Sequence, residues 1–452
     1  MLKLGELRWR LERRWTGPDP WPSEPSRLGA VGAFYLLNEP DWVHRHVETV
    51  EVVDELIVRR QVTIDLSLPW QPHAKVAHLG DSAVYFMPIL PLRKIPAART
   101  IDMRDEAGDA LPLLTRTENA AISAEAMVCA ARTMAGQSLP RPLERRLHRI
   151  AADDPSAARR AWEDPLNLSA GVRDRIRSSG NYRRFLRVVH SAVGSSLLWV
   201  GLEGRPGQRR VLKLTYEEEV GLETGWLGRM AMVLGWTGVK LRLELPHTRD
   251  ASSYHFQLAA PEQLDVRAIG AQGILRDRDG EAIDPNIVIS RPAGHYHARE
   301  VSAGVLEWMD VVLRVDRRGF VTTAMIASIL IASLLTIFST YSTDVASHEE
   351  VSAAVLLIGP AALTALAVDL RGRGLSARLL SGVRYAVITS ASLSALGATT
   401  LAGFTPFGFD HHEMWMLLMS ASWVVALVIT TTFVLSVGRV ADYLARRALR
   451  SP

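Results

Sequence analysis

Cysteine is almost missing from this chain: Cys129 is the only one in 452 residues. A single thiol excludes an intramolecular disulfide and a cysteine-built zinc site, so the fold needs no oxidising compartment. The common catalytic signatures are missing too. There is no Gly-x-x-x-x-Gly-Lys-Ser/Thr loop, no Gly-x-Gly-x-x-Gly after a strand, no His-Glu-x-x-His and no Gly-x-Ser-x-Gly. These gaps predict no enzymatic activity, no cofactor and no resident metal. The opening stretch, Met1-Leu-Lys-Leu-Gly-Glu-Leu-Arg-Trp-Arg10, lacks an apolar run long enough for a signal peptide, which predicts that nothing exports the first domain.

Charge is the most telling scarcity. Only eight Lys or Arg follow Gly319, across 133 residues, whereas 44 basic and 41 acidic side chains precede it. The near balance of the first part argues against a dedicated nucleic-acid surface, which needs a clustered cationic field. In the second part, Phe320–Tyr341, Val351–Val368, Val383–Phe404 and Met414–Val437 are each apolar enough to read as spans of a hydrocarbon core about 30 Å thick. Gly359-Pro360 predicts a kink in the second. Apart from Arg384 at the edge of the third, no Asp, Glu, Lys, Arg or His lies in the runs, and their interiors are free of charge, which counts against proton pumps and ion-coupled transporters.

The remaining arginines set an orientation. Arg314, Arg317 and Arg318 precede the first run. Arg371, Arg373, Arg378 and Arg384 lie between or flank the second and third, and Arg439, Arg446, Arg447 and Arg450 follow the fourth. The loops 342–350 and 405–413 carry only acidic charge. This asymmetry predicts a multi-pass protein of a bacterial inner membrane with both termini cytoplasmic. Tyr341, Phe404, Phe407, Phe409 and Trp415 would ring the outer interface, and Phe320, Tyr385 and Tyr443 the inner one.

Residues 26–319 read as a β-rich cytoplasmic domain. Val47–Leu56 and Val58–Leu68 form a candidate hairpin, followed by short alternating runs including Val84–Leu90, Arg183–Leu202, Arg209–Tyr216 and Trp308–Val315. About a dozen such strands suggest an antiparallel sandwich. A helical insert at about 116–180 opens with the capping box Thr115-Arg-Thr-Glu118, and Asp154-Pro155 starts another helix inside it. Glu217–Trp236 reads as a further helix. The expected fold class is therefore α+β: a sandwich-like antiparallel domain with a helical insert, then a four-helix transmembrane bundle. Residues 1–25 add a helix with Leu4, Leu7, Leu11 and Trp15 on one face, suited to an anionic leaflet, and a Pro-rich linker. Residues 438–452 form a basic tail. Val311-Val-Leu-Arg-Val-Asp-Arg-Arg318 runs almost directly into the first span, so a domain movement could pass into the bilayer.

Met103-Arg-Asp-Glu-Ala-Gly-Asp-Ala-Leu-Pro-Leu-Leu-Thr115, Ser253-Tyr-His-Phe-Gln-Leu-Ala-Ala-Pro261 and His295-Tyr-His-Ala-Arg299 resemble patches in a group of four-span actinobacterial membrane proteins with a β-rich N-terminal domain. The resemblance implies the architecture and carries no activity. A β-rich domain feeding the first of four spans is also similar to pentameric ligand-gated channels, but those keep the domain outside the cell.

Candidate sites are few. His295 and His297 share a strand face and, with His247 or His255, are weak metal candidates; His411 and His412, beside Asp410 and Glu413, are a second weak pair. On the third span Ala386, Thr389, Ser390, Leu393, Ser394, Gly397 and Thr400 share one face, predicting helix packing through Ser390, Ser394 and Gly397. The leading functional expectation is a domain that binds a ligand or protein partner and is tethered to the membrane by its helices. An oligomeric channel gated by that domain is the alternative, and a membrane enzyme of unrecognised type the third. Expected partners are the lipid bilayer and a protein partner or further copies of the chain, with no nucleic acid.

Overall fold

The computed structural model describes residues 26–38, 42–54, 57–71, 75–79, 82–94, 101–163, 170–220, 226–245, 253–261, 264–276, 282, 285–290, 293–299, 303–315, 320–340, 375–402 and 410–435. It is a mixed α+β structure with mostly antiparallel sheets. A hairpin of β1 (Val43–Val52) and β2 (Ile57–Ser67) lies at the centre of a seven-stranded sheet. Beyond β2 come β7 (Arg209–Glu219) and β5 (Ile101–Arg104); beyond β1 come β9 (Ser253–Ala259), β12 (Ala293–Arg299) and β11 (Asn286–Ser290). The β1–β9 pair is parallel, which departs from the all-antiparallel expectation. Every other pairing in this sheet is antiparallel.

Alternation gives this sheet two unlike faces. Arg59, Gln61, Lys213 and Gln257 face solvent, with Arg59 ion-paired to Glu51 and Glu217. Val58, Val62, Ile64, Leu66, Leu212, Leu214, Phe256 and Leu258 turn inward. Two three-stranded sheets pack against different parts of that inner face, so the single sandwich expected is in fact one wide sheet over two small ones. The first comprises β3 (Lys75–Leu79), β4 (Ser82–Arg93) and β6 (Ser195–Gly204); the second comprises β10 (Leu264–Arg276), β13 (Ala303–Val315) and β8 (Val239–Glu244). Each small sheet belongs to its own apolar core.

The first core is completed by helices. Ser26 caps α1 (Arg27–Leu37) by accepting from the Gly29 amide. Gly32 lets α1 sit tightly on α2 (Arg116–Ala135), since a Cβ there would come 2.6 Å from Ala126 Cβ. The Thr115–Glu118 capping box forms at the start of α2, and the Asp154 carboxylate caps α4 (Pro155–Glu163) through the Ser156 and Ala157 amides. Between them runs α3 (Arg141–Ala152), and α5 (Ala170–Ser178) follows. Trp199 on β6 fastens α2 to the sheet: its backbone amide donates to Asn119 Oδ1 and its indole to Ser123 Oγ.

Two segments fold differently from the expectation set by their sequence. The stretch 183–202 is not one strand; α6 (Tyr182–Gly194) precedes β6, so the helical insert extends past 180 to Gly194. Phe185, Val189, Ala192 and Val193 recur at helical spacing and are buried, and that outweighs their β-branched composition. Likewise Glu217–Trp236 is not one helix. Its first residues finish β7, paired as Glu217↔Arg59 and Glu219↔Ile57, and only α7 (Trp226–Val233) is helical.

After β13 come α8 (Phe320–Thr340), α9 (Leu375–Leu379), α10 (Ser381–Leu401) and α11 (His411–Leu435). Among the described residues two helices, α8 and α11, are long and apolar enough to cross a membrane. α10 is as long as α8 but carries a high share of Ser, Thr and Gly, which lowers its hydropathy. The expected spans at 320–341, 383–404 and 414–437 correspond to α8, α10 and α11; the run 351–368, the N-terminal helix and the tail 438–452 lie outside the described residues.

Candidate functional site

The second core contains both the inner residues of β8, β10 and β13 and the buried sides of α8, α10 and α11. Domain and apolar helices therefore share one packed interior, and their junction is the best-defined candidate site. Its centre is Arg314 on β13, only 7% exposed. Arg314 Nη1 donates to the Leu435 carbonyl at 3.0 Å, and Nη2 donates to the Trp236 carbonyl at 3.4 Å. The last carbonyls of a helix lack partners within it and carry partial negative charge, so a guanidinium is a fitting cap.

The turn after α7 is wedged into the same junction. Thr432 Oγ1 on α11 shares its proton between the Leu234 carbonyl at 2.8 Å and the Val428 carbonyl of its own helix at 3.1 Å. Gly235 adopts φ +72° beneath the Thr432 methyl, a conformation that glycine takes without steric cost. Gly382, at the start of α10, meets the Val233 carbonyl so closely that a Cβ would come within 2.5 Å.

Beside Arg314 the small sheet carries a largely buried charged row on the strand face opposite Met309, Val311 and Leu313. Asp310, 1% exposed, accepts from Lys240 Nζ at 3.0 Å and Arg242 Nε at 3.0 Å, while the Arg242 guanidinium lies 5.0 Å from the Trp308 ring. Asp265 stands opposite Arg314 in register and pairs with Arg267 at 2.9 Å.

A second polar cluster lies inside the large sheet, where its inner face passes from one core to the other. Arg60 on β2, 1% exposed, donates to Glu48 on β1 at 2.8 Å and to Glu218 on β7. Tyr254 on β9 donates to the other Glu48 oxygen at 2.8 Å. Burial alone would lower the Arg60 pKa, but Tyr216, Glu48 and Glu218 outweigh it and hold it above its ordinary value. Burial, reinforced by Glu48, pushes the Tyr254 hydroxyl well up. His46, whose ring faces that of Tyr254 at 5.4 Å, is driven down to about 4 by burial.

The histidines picked from sequence sit elsewhere. His297 faces His255 across β12–β9 with rings stacked at 3.9 Å, and His255 Nε2 lies 3.1 Å from Ser253 Oγ. His295 pairs in register with Gln257. Face-to-face imidazoles do not aim their nitrogens at a common point, and no group of three metal-binding side chains occurs among the described residues. His247 lies outside them. His411 and His412 are exposed in the first turn of α11, where His411 Nε2 accepts from the Trp415 indole at 3.0 Å. Ser390, Ser394 and Gly397 are buried, and Ser390 Oγ donates to Ser328 Oγ on α8 at 3.4 Å, whereas Thr389 is exposed. Arg378 and Arg384 flank the α10 end that abuts α7; Arg317, Arg318, Arg371, Arg373, Arg439, Arg446 and Arg447 lie outside the described residues.

Sequence reasoning read Arg314 only as a flanking charge and passed over Arg60, Glu48 and Asp310, yet Arg60 and Arg314 each left a trace of burial. Arg60 occupies the apolar phase of Val58-x-Arg60-x-Val62-x-Ile64, and Arg314 interrupts Val311-Val-Leu-Arg-Val315. A charge at a core position of an alternating strand is a buried, partnered charge until shown otherwise.

No family model matches the chain, and no curated protein matches it. Among solved structures, an M1 zinc metallopeptidase from Deinococcus radiodurans aligns with 10% identity and a TM-score of 0.22, over 60% of this chain and 42% of that one. A mutant two-domain M1 zinc metallopeptidase bound to L-tryptophan aligns with 9% identity and a TM-score of 0.24, with the same shares. The chain spans less than half the length of these structures, and both scores lie well below those of proteins that share a fold.

Proposed function

We propose that this chain is a multi-pass membrane protein whose β-rich domain binds a ligand or protein partner on the cytoplasmic side and is rigidly coupled to a four-helix bundle. The Arg314 bridge carries the reading, because it joins the last strand of the domain to the last turn of α11 without a flexible intermediary. Connectivity supports the fourth helix. α8 leaves the junction at Phe320, and α10 starts at the junction again beside Val233, so a return crossing within Val351–Val368 fits the chain. The arginine asymmetry supports the orientation. The resemblance to actinobacterial four-span proteins is compatible with this arrangement and adds no activity.

A cysteine introduced at Ser347 tests the topology. With an impermeant maleimide, Ser347→Cys is expected to label in intact cells. Labelling only after lysis would overturn the orientation, and with it the cytoplasmic placement of the domain.

A further inference from the structure

Helix α7 is short, lies at the junction, and exposes the wrong residues for water. Its eight residues bury Met232 against the second core, while Trp226 and Met230 are 72% and 56% exposed. Four residues apart, these two share one face of the helix. Arg229 is exposed between them.

The position of α7 says what covers that face. Its last residue abuts Gly382 at the start of α10, and the turn that follows is bonded to Thr432 and Arg314 at the end of α11. A helix of this length covers about 12 Å, so all of α7 stays close to the domain-side ends of the apolar helices. On α10 the aromatic nearest that end, Tyr385, is itself largely exposed, and Arg378 and Arg384 lie on either side of Gly382. Exposed Trp and Tyr beside arginines, level with the ends of apolar helices, match the composition of a membrane–water interface, where the ring is half solvated and the guanidinium meets anionic headgroups.

We infer that α7 is an interfacial helix that seats Trp226 and Met230 in the headgroup layer of the bilayer, with Arg229, Arg378 and Arg384 facing anionic lipid. It forms a second footing for the domain, beside the β13–α8 connection. The inference rests on the membrane reading above, and its test separates the two.

Full-length chain carrying Met230→Cys or Trp226→Cys is labelled with an environment-sensitive fluorophore and reconstituted in phosphatidylcholine–phosphatidylglycerol nanodiscs. Native Cys129 is buried, and burial pushes its thiol up to about 11, so it stays unlabelled near neutral pH. Leu427→Cys on the exposed side of α11 and Arg159→Cys on α4 serve as references. Lipid bearing a nitroxide near the headgroup is expected to quench positions 226 and 230. Lipid with a deep nitroxide should quench 427, and neither should quench 159. Quenching at 427 without any at 226 and 230 overturns the interfacial helix alone. Loss of quenching at 427 as well overturns the membrane reading and the inference with it.

Discussion

Arg314 Nη1 lies 3.0 Å from the carbonyl oxygen of Leu435, so the last strand of the β-rich domain caps the last turn of the final apolar helix. Removing that charge leaves helix-end carbonyls without a buried donor. Arg314→Ala is expected to destabilise the detergent-solubilised chain by about 2 kcal/mol, in line with hydrogen bonds to charged groups. Arg314→Lys should recover only part of it, because one ammonium nitrogen must serve two carbonyls that the guanidinium reaches with separate nitrogens. Equal melting temperatures for wild type and Arg314→Ala would show that the bridge does not hold the domain to α11.

The Arg60 cluster predicts strong non-additivity. Arg60→Met leaves the buried Glu48 and the half-buried Glu218 without their cation, a change that costs about 3–5 kcal/mol. The double variant Glu48→Gln with Arg60→Met should be less damaged than Arg60→Met alone. Additive losses in urea titrations would show that the two side chains do not act together.

His46 gives the protein a pH dependence with a defined sign. Its folded pKa, about 4, lies below the unfolded value of about 6.5. The stability it contributes is present above the unfolded value and is lost as pH falls from about 6.5 through about 4, because the unfolded chain then binds a proton that the folded one refuses. His148, lowered to about 4 by burial and then by Arg132, acts in the same direction. His46→Gln should flatten the stability profile over that window; an unchanged slope would contradict the assignment.

Gly108 and Gly207 both hold positive φ, +90° and +76°, but in different surroundings. A Cβ at Gly108 meets nothing within 4 Å, whereas one at Gly207 would come 2.5 Å from the Trp70 ring. Gly108→Ala should therefore cost only backbone strain, about 1–2 kcal/mol. Gly207→Ala should cost more, since Trp70 must also move. Thermal melts of the two variants decide the order.

Within the apolar helices, Ser390, Ser394 and Gly397 are buried, with Ser390 bonded to Ser328. In a packing seam Gly397→Leu pushes helices apart and weakens assembly, and Ser394→Cys resists water-soluble thiol reagents. Rapid modification of Ser394→Cys in folded protein would instead favour a wetted path and the channel reading.

Local chemistry was legible wherever neighbours along the chain supply the partners. The Thr115–Glu118 box, the Asp154-Pro155 start and the β1–β2 hairpin all close over a few residues. The stretch 183–202 was harder, because a basic amphipathic helix containing three valines and an apolar strand meet there without a break, and burial against α2 and β4 decides between them.

By itself, then, the sequence determined the change in composition after Gly319, the apolar runs and their flanking arginines, and the capped helices, since each depends on transfer energy or on contacts a few residues long. Only the tertiary structure decided that β1 pairs in parallel with β9, that Glu48, Arg60 and Glu218 meet between two cores, and that Arg314 reaches Leu435, 121 residues away. Those partners are far apart along the chain, and a charged residue in a strand does not reveal which distant charge or carbonyl offsets the cost of burying it.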